Sequence, residues 1–387
     1  MTPFTEIFVP DELADAVSDR AWLAALLECE RALVNAQSLA GTVPAHAAAA
    51  VAEACDPSAF DAADLARQGR ASGNPVEPLV RALRARVGEN ARWAHRGATS
   101  QDILDSAAML VAREALRLIR SDLDAVGDSC AELAASHRGT VMAARTLLQQ
   151  AVPTTFGYKT AGWLVAVDEC GARLDEVAGQ LPAQLGGAAG TQAAFGENGP
   201  EVARLYAAEL GLREPELPWH ANRLPLAWLA GALAATAGAA GKIATDVVLL
   251  AQTEVGEVRE REGGGSSTMP RKQNPVGAVL AIACERHARA NAGVLLESMV
   301  APHERAAGAW HAEWHALTTA LAATGGCIAA VRRSLAGLEI DAERMRANLA
   351  AATLAEAERF DIEATRPDDY LGSAVAFVDR ALAQRRR

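Results

Sequence analysis

Apolar residues recur every three to four positions along most of this chain. Leu23, Leu26, Leu27, Leu33 and Val34 fall on one helical face, and Leu104, Ala107, Ala108, Val111, Ala115 and Leu118 continue the pattern toward Val126. Ala, Leu, Glu and Arg dominate, while β-branched and aromatic runs are rare. Breaks fall at Gly41 to Pro44, Gly73 to Pro78, Leu181-Pro182, Gly196 to Pro200 and Gly263 to Pro275. Stretches 100–136, 154–180 and 223–260 stand out for length, and their Ala content lets helices approach closely and bundle. They carry more apolar surface than one narrow stripe, which predicts burial on several sides, including against copies of the same chain. No β-α alternation is visible. The expectation is an all-α protein with an N-terminal helical domain over 1–95, a central long-helix bundle over 96–337, and a shortened C-terminal helical segment over 338–387.

Composition narrows the function classes. Half of the 387 residues are apolar, yet no unbroken apolar run reaches membrane-spanning length; 224–240 comes nearest, and Lys242 and Asp246 follow it. The start MTPFTEIFVPDEL lacks a basic region followed by an apolar one, so no secretory signal is read there. Six scattered cysteines without a C-x-x-C pair suggest neither a disulfide framework nor a zinc site, and a reduced, cytoplasmic protein is expected. A net charge of −11 disfavours nucleic acid. An acidic protein can still bind anions where cations gather in a pocket.

The stretch Gly263-Gly-Gly-Ser-Ser-Thr-Met-Pro-Arg-Lys-Gln-Asn-Pro275 brings such groups together. Removing a proton beside a carboxylate calls for an oxygen base, a cation and neutral donors for the charge that develops. Ser266 and Ser267 supply hydroxyls, and Lys272 supplies the positive potential that ionising a hydroxyl requires. A helix starting after Pro275 is expected to aim its N-terminal dipole at the loop. Lys272 and Asn274 can hold a carboxylate, and Gly263 to Gly265 let the loop swing. A second cluster, His95-Arg-Gly-Ala-Thr-Ser-Gln-Asp102, precedes a long helix. Thr99, Ser100 and first-turn amides make a small anion cradle there, with Asp102 as a cap.

Residues 265–275 resemble the G-S-S-x-M-P-x-K-x-N-P signature of the fumarase/aspartase superfamily, and His95 to Asp102 is similar to its first signature region. Gly73-Asn-Pro-Val-Glu-Pro-Leu-Val80, Leu185-Gly-Gly-Ala-Ala-Gly-Thr191 and His303-Glu-Arg-Ala-Ala-Gly-Ala-Trp310 resemble its 3-carboxy-cis,cis-muconate cycloisomerases. The resemblance implies a three-domain all-α homotetramer with active sites shared between subunits. It also implies Ser266 as catalytic base, Lys272 and Asn274 on one substrate carboxylate, and Thr99 with Ser100 on another. Arg145, His95, His303 and Arg305 become candidates for further carboxylates, with Gln150 beside Arg145.

One segment departs from the lyases. Where they carry Thr-His, with the His helping the leaving group depart, this chain has Thr146-Leu147. Expelling an amine or hydroxide needs a proton donor. A carboxylate does not, because its acid has a pKa of about 4. Leu147 therefore fits lactone opening and its reverse, lactonisation of 3-carboxy-cis,cis-muconate, and leaves room for another stable anion such as nitrite. Two further patterns point elsewhere and are set aside. His311 and His315 share a helix face, but Glu313 is misplaced for a metalloprotease and no third ligand follows, so no metal is assigned. The Gly186 to Gly190 run lacks a preceding strand, so close backbone packing is expected there rather than a nucleotide. The chain is thus read as a cofactor-free enzyme acting on a small di- or tricarboxylate, with neither nucleic acid nor membrane as a partner.

Overall fold

A computed structural model describes residues 6–261, 264–265, 269, 272–349 and 354–385. Helices account for nearly all of its regular structure, as the 3.6-residue pattern requires. An N-terminal group comprises α1 (Asp11–Ala16), α2 (Asp19–Leu39), α3 (Ala45–Ala54), α4 (Ala62–Ser72) and α5 (Val76–Val87). The bundle begins with α6 (Ser100–Ser136), followed by a hairpin of β1 (Val141–Thr146) and β2 (Gln149–Thr155), then α7 (Phe156–Gly179). Next come α8 (Gly199–Leu210) and α9 (Leu224–Leu250). Three short strands, β3 (Val258–Glu260), β4 (Gly264–Gly265) and β5 (Gln273–Asn274), lead into α10 (Val276–Glu297) and α11 (Ala309–Ala336). After β6 (Leu338–Ile340) come α12 (Ala342–Ala347), α13 (Ala355–Arg359) and α14 (Ala374–Arg385).

Five long helices alternate in direction, and the contacts at their ends show it. The start of α6 lies with the starts of α9 and α11, because Asp105 binds both Arg223 and Trp310. The far end holds the hairpin after α6, the segment after α9 and the start of α10, where Arg145 meets Glu257 and Glu260 caps Gly277 and Ala278. Helix α7 returns from the hairpin to the first end, where Gln184 meets Ser106. Two of the five, α10 and α11, were not singled out by length in the sequence. Small residues set the spacing. A Cβ on Gly325 would strike Leu13, and one on Gly326 would strike the Phe8 carbonyl. At 37 residues, α6 alone runs roughly 55 Å from end to end.

The core is continuous from α1 to α14, with Leu116, Ile119, Leu123, Leu164, Val247 and Ile328 buried along the bundle axis. Helices α9 and α11 are long and apolar enough to cross a membrane by length and composition, although no unbroken apolar run was found in the sequence. Half and two thirds of their most apolar windows are buried inside the protein. Outward, α9 presents Trp228 at 65% exposure and α10 presents Val279 at 50%, an apolar surface the protomer leaves uncovered. The six cysteines are all free thiols. Burial pushes those of Cys29, Cys130 and Cys327 well above the ordinary thiol range, so they are inert.

Candidate active site

At the first end of the bundle, Thr99 precedes the first turn of α6, and Arg305 approaches from the segment before α11. The Arg305 guanidinium donates to Thr99 Oγ1 at 3.0 Å, to Gln101 Oε1 at 3.1 Å and to the Ala188 carbonyl at 3.1 Å. These acceptors, with the Gly187 carbonyl at 3.4 Å as a fourth, are all neutral, so among the described residues its positive charge is oriented but not cancelled. Ser100 opens the helix beside it, half-buried. The T-S-Q-D turn expected to cradle an anion thus has a cation beside it.

Asp102 does more than cap. Its buried carboxylate accepts from Thr99 N at 2.9 Å, Gly186 N at 2.8 Å, Gly187 N at 2.9 Å and His220 Nε2 at 2.7 Å. One side chain thereby fastens three chain segments behind the cradle. The glycines are needed for that approach: a Cβ on Gly186 would come within 2.8 Å of His220 and Pro218, and one on Gly187 within 2.9 Å of the Gly97 carbonyl. The close packing expected at Gly186 to Gly190 is found. His220 lies 118 residues from Asp102, and no local pattern could have announced the pair.

Deeper in, Arg223 spans two buried carboxylates, Asp105 at 2.7 and 3.0 Å and Glu313 at 2.9 and 2.6 Å. Trp310 Nε1 donates to the same Asp105 at 3.0 Å. One guanidinium serves two carboxylates, and burial pushes the Glu313 carboxyl up from 4.5 to about 7 despite the Arg223 contact. Glu313 is thus part of this scaffold, and neighbouring His311 packs against Trp310 and Trp314.

His95 has a partner within the protein. It sits at φ +58° with Nδ1 2.6 Å from Glu30 Oε1. Burial alone would lower its pKa, but the charge and hydrogen bond of Glu30 outweigh that and hold it above the ordinary range. Its charge is balanced from behind by Glu30. His303 is exposed at φ +53°, two residues from Arg305.

The other expected residues lie at the opposite end. Arg145 on β1 pairs in bidentate fashion with the fully buried Glu257, at 3.0 and 2.5 Å, so it too is neutralised within the protomer. Glu257 also accepts from Asn348 Nδ2 at 2.8 Å, and Gln150 Nε2 donates to the Asn348 carbonyl at 2.6 Å. The glycine loop doubles back as β4 pairs with β5, and Asn274 Nδ2 reaches the Gly264 carbonyl at 3.2 Å. Lys272 is exposed in this loop, while Ser266 and Ser267 lie outside the described residues. The helix terminus expected to face the serines has another anion on it. Glu260 accepts from Gly277 N and Ala278 N, both at 2.9 Å, and from Ser334 Oγ at 2.6 Å.

Leu147 and Leu148 form the two-residue tip of the hairpin. Both have positive φ, 51° and 64°, a conformation that suits Gly or Asn far better than leucine. They are 96% and 72% exposed, so the protomer offers these side chains nothing to pack on.

Comparison with known proteins places this geometry. Residues 9–289 match the family model described as lyase. Nitrosuccinate lyase of Streptomyces davaonensis is 49% identical over 349 residues, covering 86% of this chain and 74% of that protein. 3-Carboxy-cis,cis-muconate cycloisomerase of Bradyrhizobium diazoefficiens is 44% identical over 356 residues, covering 89% and 79%. The crystal structure of 3-carboxy-cis,cis-muconate lactonizing enzyme from Pseudomonas putida superposes with a TM-score of 0.92 at 34% identity, covering 100% of this chain and 99% of that one. The chain, with its five alternating helices and a signature cluster at each end of them, belongs to the fumarase/aspartase superfamily of lyases.

Proposed function

We propose that this protein catalyses addition and elimination at the carbon next to a substrate carboxylate, with a partner group that departs as a stable anion. The specific reaction is lactonisation of 3-carboxy-cis,cis-muconate to a carboxymuconolactone. One substrate carboxylate adds to the double bond, charge moves into the carboxylate gripped by the protein, and the Ser266 hydroxyl delivers a proton to carbon. Ser267 supplies a second catalytic hydroxyl, and Lys272 and Asn274 hold the carboxylate on which the charge grows. Thr99, Ser100 and Arg305 hold another. The observation that carries this reading is the Thr99–Arg305 pair, a cation whose described partners are all neutral and which an anion therefore completes.

The cradle and the glycine loop belong to opposite ends of one bundle, so the working site forms where the cradle of one copy meets the loop of another. A homotetramer built on the exposed faces of α9 and α10 supplies that meeting. The reaction needs no cofactor and no metal, and a cytoplasmic setting fits the reduced cysteines.

A second reading is elimination of nitrite from nitrosuccinate, favoured by the 49% identical Streptomyces davaonensis relative. Leu147 fits both, since neither leaving group requires a proton. A spectrophotometric assay on carboxymuconate, nitrosuccinate, adenylosuccinate, and fumarate with ammonia decides. Turnover of carboxymuconate supports the first reading and turnover of nitrosuccinate alone the second. Turnover confined to the last two contradicts the leaving-group argument.

A further inference from the structure

Between the hairpin and the outer faces of α7 and α9 lies a cavity of about 380 Å³. Among the described residues its wall carries three cationic side chains, Arg145, Lys159 and Lys242, and no carboxylate. In a chain of net charge −11, three cations here outnumber the two carboxylates paired with them, Glu257 and Asp246. Tyr158 and Thr154 add hydroxyl groups, and Trp163, Ala166, Ala239 and Ile243 supply an apolar wall.

The three cations are not equally committed. Arg145 is held by Glu257. Lys242 is 60% exposed and rests on Asp246, which also accepts from Trp163 Nε1 at 2.8 Å. Lys159 is different. Its side chain is 26% exposed, and its nearest carboxylate oxygen, on the same Asp246, is 3.8 Å away, beyond hydrogen-bond distance. Burial lowers the Lys159 pKa, and Lys242 and Arg145 add to that against the pull of Asp246. A half-buried ammonium whose described carboxylate partner lies beyond hydrogen-bond distance, facing a cavity with no described carboxylate on its wall, has room for a closer anion.

We propose that this cavity is a carboxylate-binding subsite with Lys159 as its anchoring cation, shaped for a small carboxylate bearing an apolar stem. The inference rests on the carboxylate chemistry proposed above and deepens it, because the cavity lies at the loop end of the bundle beside Arg145. A substrate bridging two copies would place one carboxylate on Thr99 and Arg305 of one copy and another on Lys159 of the next. Lys159, which the sequence motifs passed over, then discriminates substrates by the position of that second carboxylate.

The test uses succinate, a non-reacting dicarboxylate, titrated calorimetrically into the full-length protein. Lys159→Met is expected to weaken succinate binding about tenfold, and Lys159→Arg to retain most of it, as for loss of one partner of a partly buried ion pair. Equal affinity in wild type and Lys159→Met overturns the subsite. If wild type binds no succinate, the carboxylate reading falls with it; if wild type turns over its substrate and the Met variant binds succinate normally, only the subsite falls. A wild-type crystal soaked in bromosuccinate gives an answer independent of variant folding. Bromine anomalous density in the cavity supports the assignment, and density confined to the Thr99–Arg305 cradle or absent altogether refutes it.

Discussion

Thr99 and Arg145 stand at opposite ends of one helix: Thr99 immediately precedes Ser100–Ser136, and Arg145 lies on the hairpin that follows it. Roughly 55 Å of α-helix separates their neighbourhoods. No small di- or tricarboxylate spans that distance, so residues that read as one site in sequence lie far apart in the protomer, and the proposed function treats them as two half-sites. The function proposed here follows from how those halves meet.

Asp102 is expected to govern the cradle without touching substrate. Asp102→Asn keeps the shape but loses the charge that four donors share, so activity should fall about 10- to 100-fold, as when a supporting carboxylate is removed. Succinate affinity measured alongside should fall with it. Unchanged affinity would show that Asp102 serves the fold alone.

Glu313 makes stability depend on pH in a defined direction. Its carboxyl titrates near pH 7 in the folded protein and near 4.5 when unfolded, so the folded state binds the proton more tightly. The stabilisation is complete below about pH 4.5 and is lost as pH rises to about 7, by at most ~3 kcal/mol. Glu313→Gln removes this slope. Urea melts at pH 5 and pH 8 should show wild type losing ground to the variant at the higher pH, and a constant difference would contradict the shift.

The Leu147-Leu148 tip separates stability from activity. Replacing it with Asn-Gly suits positive φ and should stabilise the hairpin by about 1 kcal/mol in the protomer. If the leucines line a neighbouring copy's site, turnover should drop even as the melting temperature rises. Leu147→His, by the leaving-group argument, should bring no gain in cycloisomerase turnover; a gain would refute that argument.

Ser266→Ala should lower turnover by roughly 10²- to 10⁴-fold, the range for losing a proton-transfer group. Near-normal turnover would remove this serine from the chemistry.

Much of the bundle was legible because long amphipathic helices write their period into the chain; the stretch expected at 100–136 is a helix over those same residues. The capped turn at Thr99 to Asp102 was legible for a similar reason, since these residues are close in sequence. What supports it was not. His220 reaches Asp102 across 118 residues, Arg223 reaches Glu313 across 90, and Arg305 reaches Thr99 across 206. Such pairings are fixed by packing between helices, and the local pattern carries no trace of them. The same limit explains His95 and Arg145. Both read as available cations, and both turn out to have a buried glutamate behind them, Glu30 and Glu257. Glu260, seated on the α10 amides, was missed because a lone glutamate three residues before a glycine run has no distinguishing spacing.

The claim that the site forms between copies is tested most directly by mixing two disabled variants. Arg305→Ala removes the cradle's cation and Lys272→Ala removes the loop's, and each alone should be nearly inactive. Co-refolded in equal amounts, they form mixed oligomers in which some sites draw an intact cradle from one copy and an intact loop from another. Activity should then recover to roughly a quarter of wild type, the fraction expected when two residues come independently from two copies. Mixed oligomers that form yet show no recovery would mean one copy supplies both residues, and the two-ended site would be wrong.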